Sequence, residues 1–134
     1  MKIFDNDGKV NFVDENNVLV GFDSYQDCCE SFGWFLDSTP HEDGEIVGDL
    51  VDEKALDGYV FDTEYFVECT SGGDEGNMAI FRLVSRYADN TTVWGKSQAA
   101  ANPPVYLHLY NHHNGYYSHG FVFSKPLVIR SGSL

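Results

Sequence analysis

Apolar and polar residues alternate along most of the chain with a period of two, the mark of strands half-buried against a core. "KIF" (2–4) and "KVNFV" (9–13) flank "DNDG", whose Asp7-Gly8 step suits a two-residue hairpin turn. "KVNFV" and "VLVGF" (18–22) flank Asp14-Glu15-Asn16-Asn17, a second turn. Later strands are predicted over 59–69, 78–87, 105–113 and 116–123. Polar "TSGGDEGN" joins the first of these pairs. "GKSQAAANPP" (95–104) is a long loop, because Pro103-Pro104 cannot donate to a strand ladder.

The pattern changes at "SYQDCCESFG" (24–33). Ser24 can cap a short helix, with Asp27 at its third helical position. Tyr25, Cys28, Cys29 and Phe32 then share one buried face, and Gly33 fits a left-handed stop. A second, weaker helix is predicted near "DLVDEKAL" (49–56). The expected fold is therefore α+β: a mostly antiparallel β-sheet of hairpins with one or two short helices. With no repeat, low-complexity tract or linker, residues 1–134 read as a single domain.

Composition adds a packed core, since 43% of residues are apolar and 15% aromatic. No run approaches the roughly 20 apolar residues that span a bilayer, and Met1–Asp5 lacks the apolar stretch of a secretory signal. A soluble, cytoplasmic protein without membrane contact is expected. Cys28 and Cys29 are adjacent and Cys69 stands alone, a set that reads as reduced thiols rather than a disulfide framework.

Charge alters the picture most. The net charge of −13 is split unevenly: residues 1–75 hold 20 of the 21 acids and three lysines, a net −17, whereas residues 76–134 are net +4. Such a field repels phosphate backbones, so direct nucleic-acid binding is not expected. Docking on a basic surface is.

Candidate chemistry concentrates in "LYNHHNGYYSHGF" (109–121). If Asn114-Gly115 is a primed two-residue turn, His113 pairs with Tyr116. Tyr106, His108, Tyr110 and His112 then stand opposite Phe123, Phe121, His119 and Tyr117. His108 and His112 would lie about 13 Å apart along one strand. His119 could share an ion with one of them but not both, and zinc–nitrogen bonds of about 2 Å cannot close the rest. An aromatic ladder is expected, with no metal and no cofactor assigned. "DNDGKVNFVDE" looks like a calcium loop, but aligning Gly8 on the loop's glycine puts Ile3 at the first ligand position. In "DCCE", Asp27 and Glu30 would raise the thiol pKa, which disfavours a nucleophile. No glycine-rich phosphate loop or nucleophile elbow occurs, and no catalytic residue is assigned.

"DCCES" (27–31) and "NGYYS" (114–118) together resemble a family of small bacterial and bacteriophage proteins, a domain of unknown function. The resemblance spans roughly residues 8 to 124, with "HEDGE" (41–45) and "GKSQAAANPP" standing as insertions. It implies a phage context, host cytoplasm, and a shared feature built from Asp27, Cys28, Cys29, Glu30, Asn114, Gly115, Tyr116, Tyr117 and Ser118.

The leading expectation is a non-enzymatic binding protein, an accessory or counter-defence inhibitor that meets a basic host protein through its acidic surface. The binding candidates are Asp27, Glu30, Arg82, Arg86, Tyr110, His112, Tyr116, Tyr117, Ser118 and His119. Ser24, Cys28, Cys29, Gly33, Asn114 and Gly115 are candidate structural positions. Two alternatives stand beside it. One is a small nucleotide ligand stacked on the tyrosines and held by Arg82 or Arg86; the other is a metal- or thiol-dependent hydrolase using His112, His119 and Cys28. Oligomeric state is left open.

Overall fold

A computed structural model describes residues 1–6, 8–23, 31–46, 51–70, 76–85, 103–112, 120–124 and 128–134. Among the described residues, nine strands form two antiparallel sheets. The first sheet contains β1 (Lys2–Asn6), β2 (Lys9–Val13), β3 (Leu19–Asp23), β8 (Gly120–Ser124) and β9 (Val128–Ser133), in the order β1-β2-β3-β8-β9. The second contains β4 (Ser31–Asp37), β5 (Tyr59–Thr70), β6 (Gly76–Ser85) and β7 (Val105–His112), in the order β4-β7-β6-β5.

The first two turns form where the sequence places them. Asn6 pairs with Lys9 across a two-residue loop in which Gly8 takes φ 74°, a value its lack of a side chain permits. In the second turn Asp14 and Val18 close the loop by a 3.1 Å backbone bond, and Asn17 takes the left-handed φ of 62°. Asp14 is buried, and its carboxylate accepts from the backbone amides of Asn16 (2.8 Å), Val18 (2.9 Å) and Phe61 (2.8 Å). The last bond ties the β2–β3 turn to β5 in the other sheet.

The sheets pack face to face through aromatic rings. Phe123 meets Phe61 and Phe81, Phe121 meets Phe66 and Phe81, and Phe12 meets Trp34 edge-on at 5.0 Å. Leu36, Ala79, Leu83, Val105, Leu107 and Leu109 fill the same core from the second sheet. This is the large, non-directional share of the stability, since each such side chain contributes about 1.5–3 kcal/mol on burial.

The α+β expectation is overturned. The described residues contain no α-helix, and the fold is nearly all β. The predicted helix over 24–33 fails at its C-terminal end, because Ser31, Phe32 and Gly33 begin β4; residues 24–30 lie outside the described residues. Gly33 is a strand residue and not a helix stop. A Cβ there would sit 2.9 Å from the Tyr110 hydroxyl oxygen, so glycine lets that ring cross β4. Of the second predicted helix, the described residues 51–56 form one 3-10 turn, Glu53–Leu56, capped by the Asp52 side chain.

The proposed pairing of 105–113 with 116–123 is overturned as well. β7 is a central strand between β4 and β6, whereas β8 pairs with β3 and β9 in the opposite layer. Tyr106 therefore faces Asp37 and Arg82 rather than Phe123, and His108 faces Phe35 and Ile80 rather than Phe121. Alternation fixes which face a residue takes but not which strand lies alongside. Asn114-Gly115 itself lies outside the described residues.

Candidate functional site

The second sheet has two apolar faces. Its outer face carries successive rows of registered residues: Gly33–Tyr110–Met78–Cys69, then Phe35–His108–Ile80–Val67, then Asp37–Tyr106–Arg82. Phe35, Met78 and Ile80 form a small second core there. Exposed to water, those side chains would cost several kcal/mol. The segment 38–46, leaving β4 and folding back over the sheet, covers them; Ile46 packs on this cluster. A turn from His41 to Gly44 (2.9 Å, with Gly44 at φ 83°) reverses this strap.

Two histidines hold the strap down. His108 is fully buried and stacks on Phe35, with ring centroids 4.2 Å apart and planes 8° from parallel. Its Nε2 accepts from the His41 backbone amide at 3.0 Å. That donor fixes the tautomer, so Nδ1 carries the proton and donates to the Tyr106 carbonyl at 3.1 Å. Burial, reinforced by the neighbouring His41 ring, pushes the His108 pKa down to about 4. The residue is a neutral structural acceptor at physiological pH.

His41 has its ring between two acids. Its Nε2 bonds the Asp37 carboxylate, and its Nδ1 lies 4.0 Å from Glu45 Oε2. Burial works to raise the Asp37 pKa, but the hydrogen bond from His41 and backbone amides at Ser38 and Thr39 prevail and hold it below the usual carboxylate range. His41 is partly buried beside the exposed Asp43 and Glu45, and one donor atom from each of the three residues lies within 4.8 Å of the others. Glu42, next in the strap, accepts from the Tyr65 hydroxyl at 3.0 Å. Burial first and that carboxylate second push the Tyr65 pKa up to about 12.

Cys69 lies under the strap, its thiol 3.9 Å from the His41 carbonyl. Burial, then the charges of Asp43, Glu42 and Glu68, push its pKa up. It stays a thiol at neutral pH and is a poor nucleophile.

Of the sequence candidates, Arg82 and Tyr110 are described and both stand on this outer face. Tyr110 leans on Phe35 at 6.0 Å. Arg82 is committed: its Nε and one terminal nitrogen bond Asp62 Oδ2 at 3.0 and 2.6 Å, and its guanidinium covers the Tyr65 ring at 4.6 Å. A phosphate would have to displace Asp62. His112 ends β7, opposite Ser31 and Gly76. Ser24, Asp27, Cys28, Cys29, Glu30, Arg86, Asn114, Gly115, Tyr116, Tyr117, Ser118 and His119 lie outside the described residues. The sequence reading missed Asp37, His41 and Glu45, and placed His108 only in a ladder. The available signal was "HEDGE", in which a turn glycine brings positions one, three and five to one side.

No protein-family model matches the chain, and no curated protein or solved structure is significantly similar to it.

Proposed function

We propose that the chain is a non-enzymatic binding protein that docks an acidic surface on a basic surface of a host protein, as a phage-encoded accessory or inhibitor would. The observation that carries this reading is the strap. Glu42, Asp43 and Glu45 are all exposed along it, Glu42 also accepting from the Tyr65 hydroxyl, and among the described residues none has a lysine or arginine within ion-pair distance. Acids on a strap pinned to the sheet and left without lysine or arginine partners are an electrostatic half-interface, which speeds and selects association with a cationic partner. The net charge of −13 supports the same reading. The nucleotide alternative draws less support, because Arg82 is already neutralised by Asp62.

Titration against a panel of basic and acidic proteins of matched size, at about 50 and about 300 mM salt, tests the proposal. Binding of basic members that weakens at least tenfold at the higher salt, and again in the Glu42→Lys/Glu45→Lys variant, supports it. Equal binding of both classes, or binding untouched by the charge reversal, refutes it.

A further inference from the structure

Beyond docking, and sharing Asp43 and Glu45 with that surface, the geometry points to a divalent transition-metal site formed by His41 Nδ1 and the carboxylates of Asp43 and Glu45. The donor set consists of one imidazole and two carboxylates, which suits zinc, manganese or iron(II) better than calcium or magnesium, whose sites are all oxygen. The spacing is close to what a shared ion needs. Metal–ligand bonds of about 2.0–2.2 Å place neighbouring donors about 3–4 Å apart. Here Nδ1 and Glu45 Oε2 are already at 4.0 Å, and the whole set lies within 4.8 Å. Both acids are exposed side chains; Asp43 Oδ1 accepts from the Glu45 amide at 3.1 Å, so closing the last ångström falls to the second Asp43 oxygen and to rotamers of Glu45.

A second feature lies outside that donor set. Metal-bound histidines characteristically give their other ring N–H to a carboxylate, which fixes the tautomer and raises the basicity of the ligating nitrogen. Asp37, buried at the end of β4, occupies that position on His41 Nε2. With the ring proton on Nε2, the Nδ1 lone pair is directed at the two acids, an arrangement of three electron-pair donors that a cation stabilises. The His41 backbone is fixed in turn by its amide bond to His108, so the ring is presented from the sheet rather than from a free loop. The strap's Gly44 turn brings residues 41, 43 and 45 to one side, and this gives the "HEDGE" segment a role that the docking surface alone does not explain. Three protein ligands leave further positions for water or for a side chain of a partner.

The test uses the full chain, prepared without an affinity tag and stripped with chelator. Zinc chloride is titrated by calorimetry while the histidine side-chain nitrogens are followed by NMR; manganese and calcium chlorides follow. Expected are one-to-one zinc binding, a shift at His41 Nδ1, and calcium at least tenfold weaker. Asp43→Asn/Glu45→Gln, which changes only exposed groups, should weaken zinc at least tenfold. Asp37→Asn, which leaves all three ligands in place, should weaken it about 10- to 100-fold. The absence of zinc binding, a shift confined to His112, His113 or His119, or full affinity in the Asp43→Asn/Glu45→Gln variant overturns the proposal.

Discussion

Acidification from about pH 7 to pH 4 should cost the protein stability through His108. In the unfolded chain its imidazole takes up a proton near 6.5; in the folded protein it does so only near pH 4, because the ring is buried and next to His41. Between those values the unfolded state binds more protons, so stability is complete above pH 6.5 and is lost as pH falls towards 4. The difference in proton affinity corresponds to about 3 kcal/mol. Structurally, protonated Nε2 would point a donor at the His41 amide that now donates to it. The partner variant is His108→Gln, which keeps a polar group but cannot titrate. Losing the stacked ring and two fitted hydrogen bonds should make it about 2–3 kcal/mol less stable at pH 7. Urea unfolding of both proteins in chelator, at intervals from pH 7 to 4, gives the comparison. The wild-type advantage should shrink by about 3 kcal/mol and vanish near pH 4. Asp37 and Asp62, whose carboxyls are held below the ordinary range, lose their contributions chiefly at still lower pH and in both proteins alike. A gap that stays constant, or widens on acidification, would refute the neutral-acceptor assignment.

Three further outcomes follow from individual contacts. Asp14→Ala strips acceptors from the buried Val18 and Phe61 amides and should lower unfolding stability by about 3 kcal/mol, measured by urea denaturation; a loss below about 1 kcal/mol would contradict the buried bridge. Gly33→Ala forces a methyl to within 2.9 Å of the Tyr110 hydroxyl oxygen and should cost about 1–3 kcal/mol, read as a lower thermal midpoint; an unchanged midpoint would show that the ring does not cross β4 there. Cys69 should react with iodoacetamide at about pH 8 at least several-fold more slowly than a cysteine in an unstructured peptide, followed by peptide mapping. Reaction at the peptide rate would mean that its thiol is neither covered nor flanked by acids.

The β1–β2–β3 meander was legible because each turn carries its own chemistry: Gly8 for a positive φ, and Asp14 with Asn17 for a side-chain-closed loop. β4 was not. Phe32, Trp34 and Leu36 face the main core while Phe35 faces the strap, so the strand is apolar on both sides and loses the period-two signal. Read together with Tyr25, Cys28 and Cys29, its Phe32 completes a helical spacing by coincidence. β9 was missed for another reason. "VIRSGS" carries a serine and glycine density that marks turns, yet it pairs with β8 at the sheet edge, and Leu134 beyond it accepts from Asn111 Nδ2 at 3.0 Å. The donor set itself was local, in "HEDGE", but its anchor was hidden by distance along the chain, since His41 and His108 are 67 residues apart and nothing local announces their bond.

That long-range bond also bears on why the proposed site lies on the strap. A four-stranded sheet with an apolar outer face must be covered, and a short irregular segment covers it only if its backbone polar groups find partners. His108 supplies one such partner from the sheet, Asp37 orients the ring that follows, and Tyr65 holds Glu42 from the far side. Anchored inward at these points, the strap has its remaining charged groups, Asp43 and Glu45, directed to solvent beside His41 Nδ1. The packing requirement and the acidic, nitrogen-bearing surface thus have one cause. A substitution that loosens the anchors should therefore weaken both metal and partner binding, whereas removing a single outward carboxylate should leave stability unchanged.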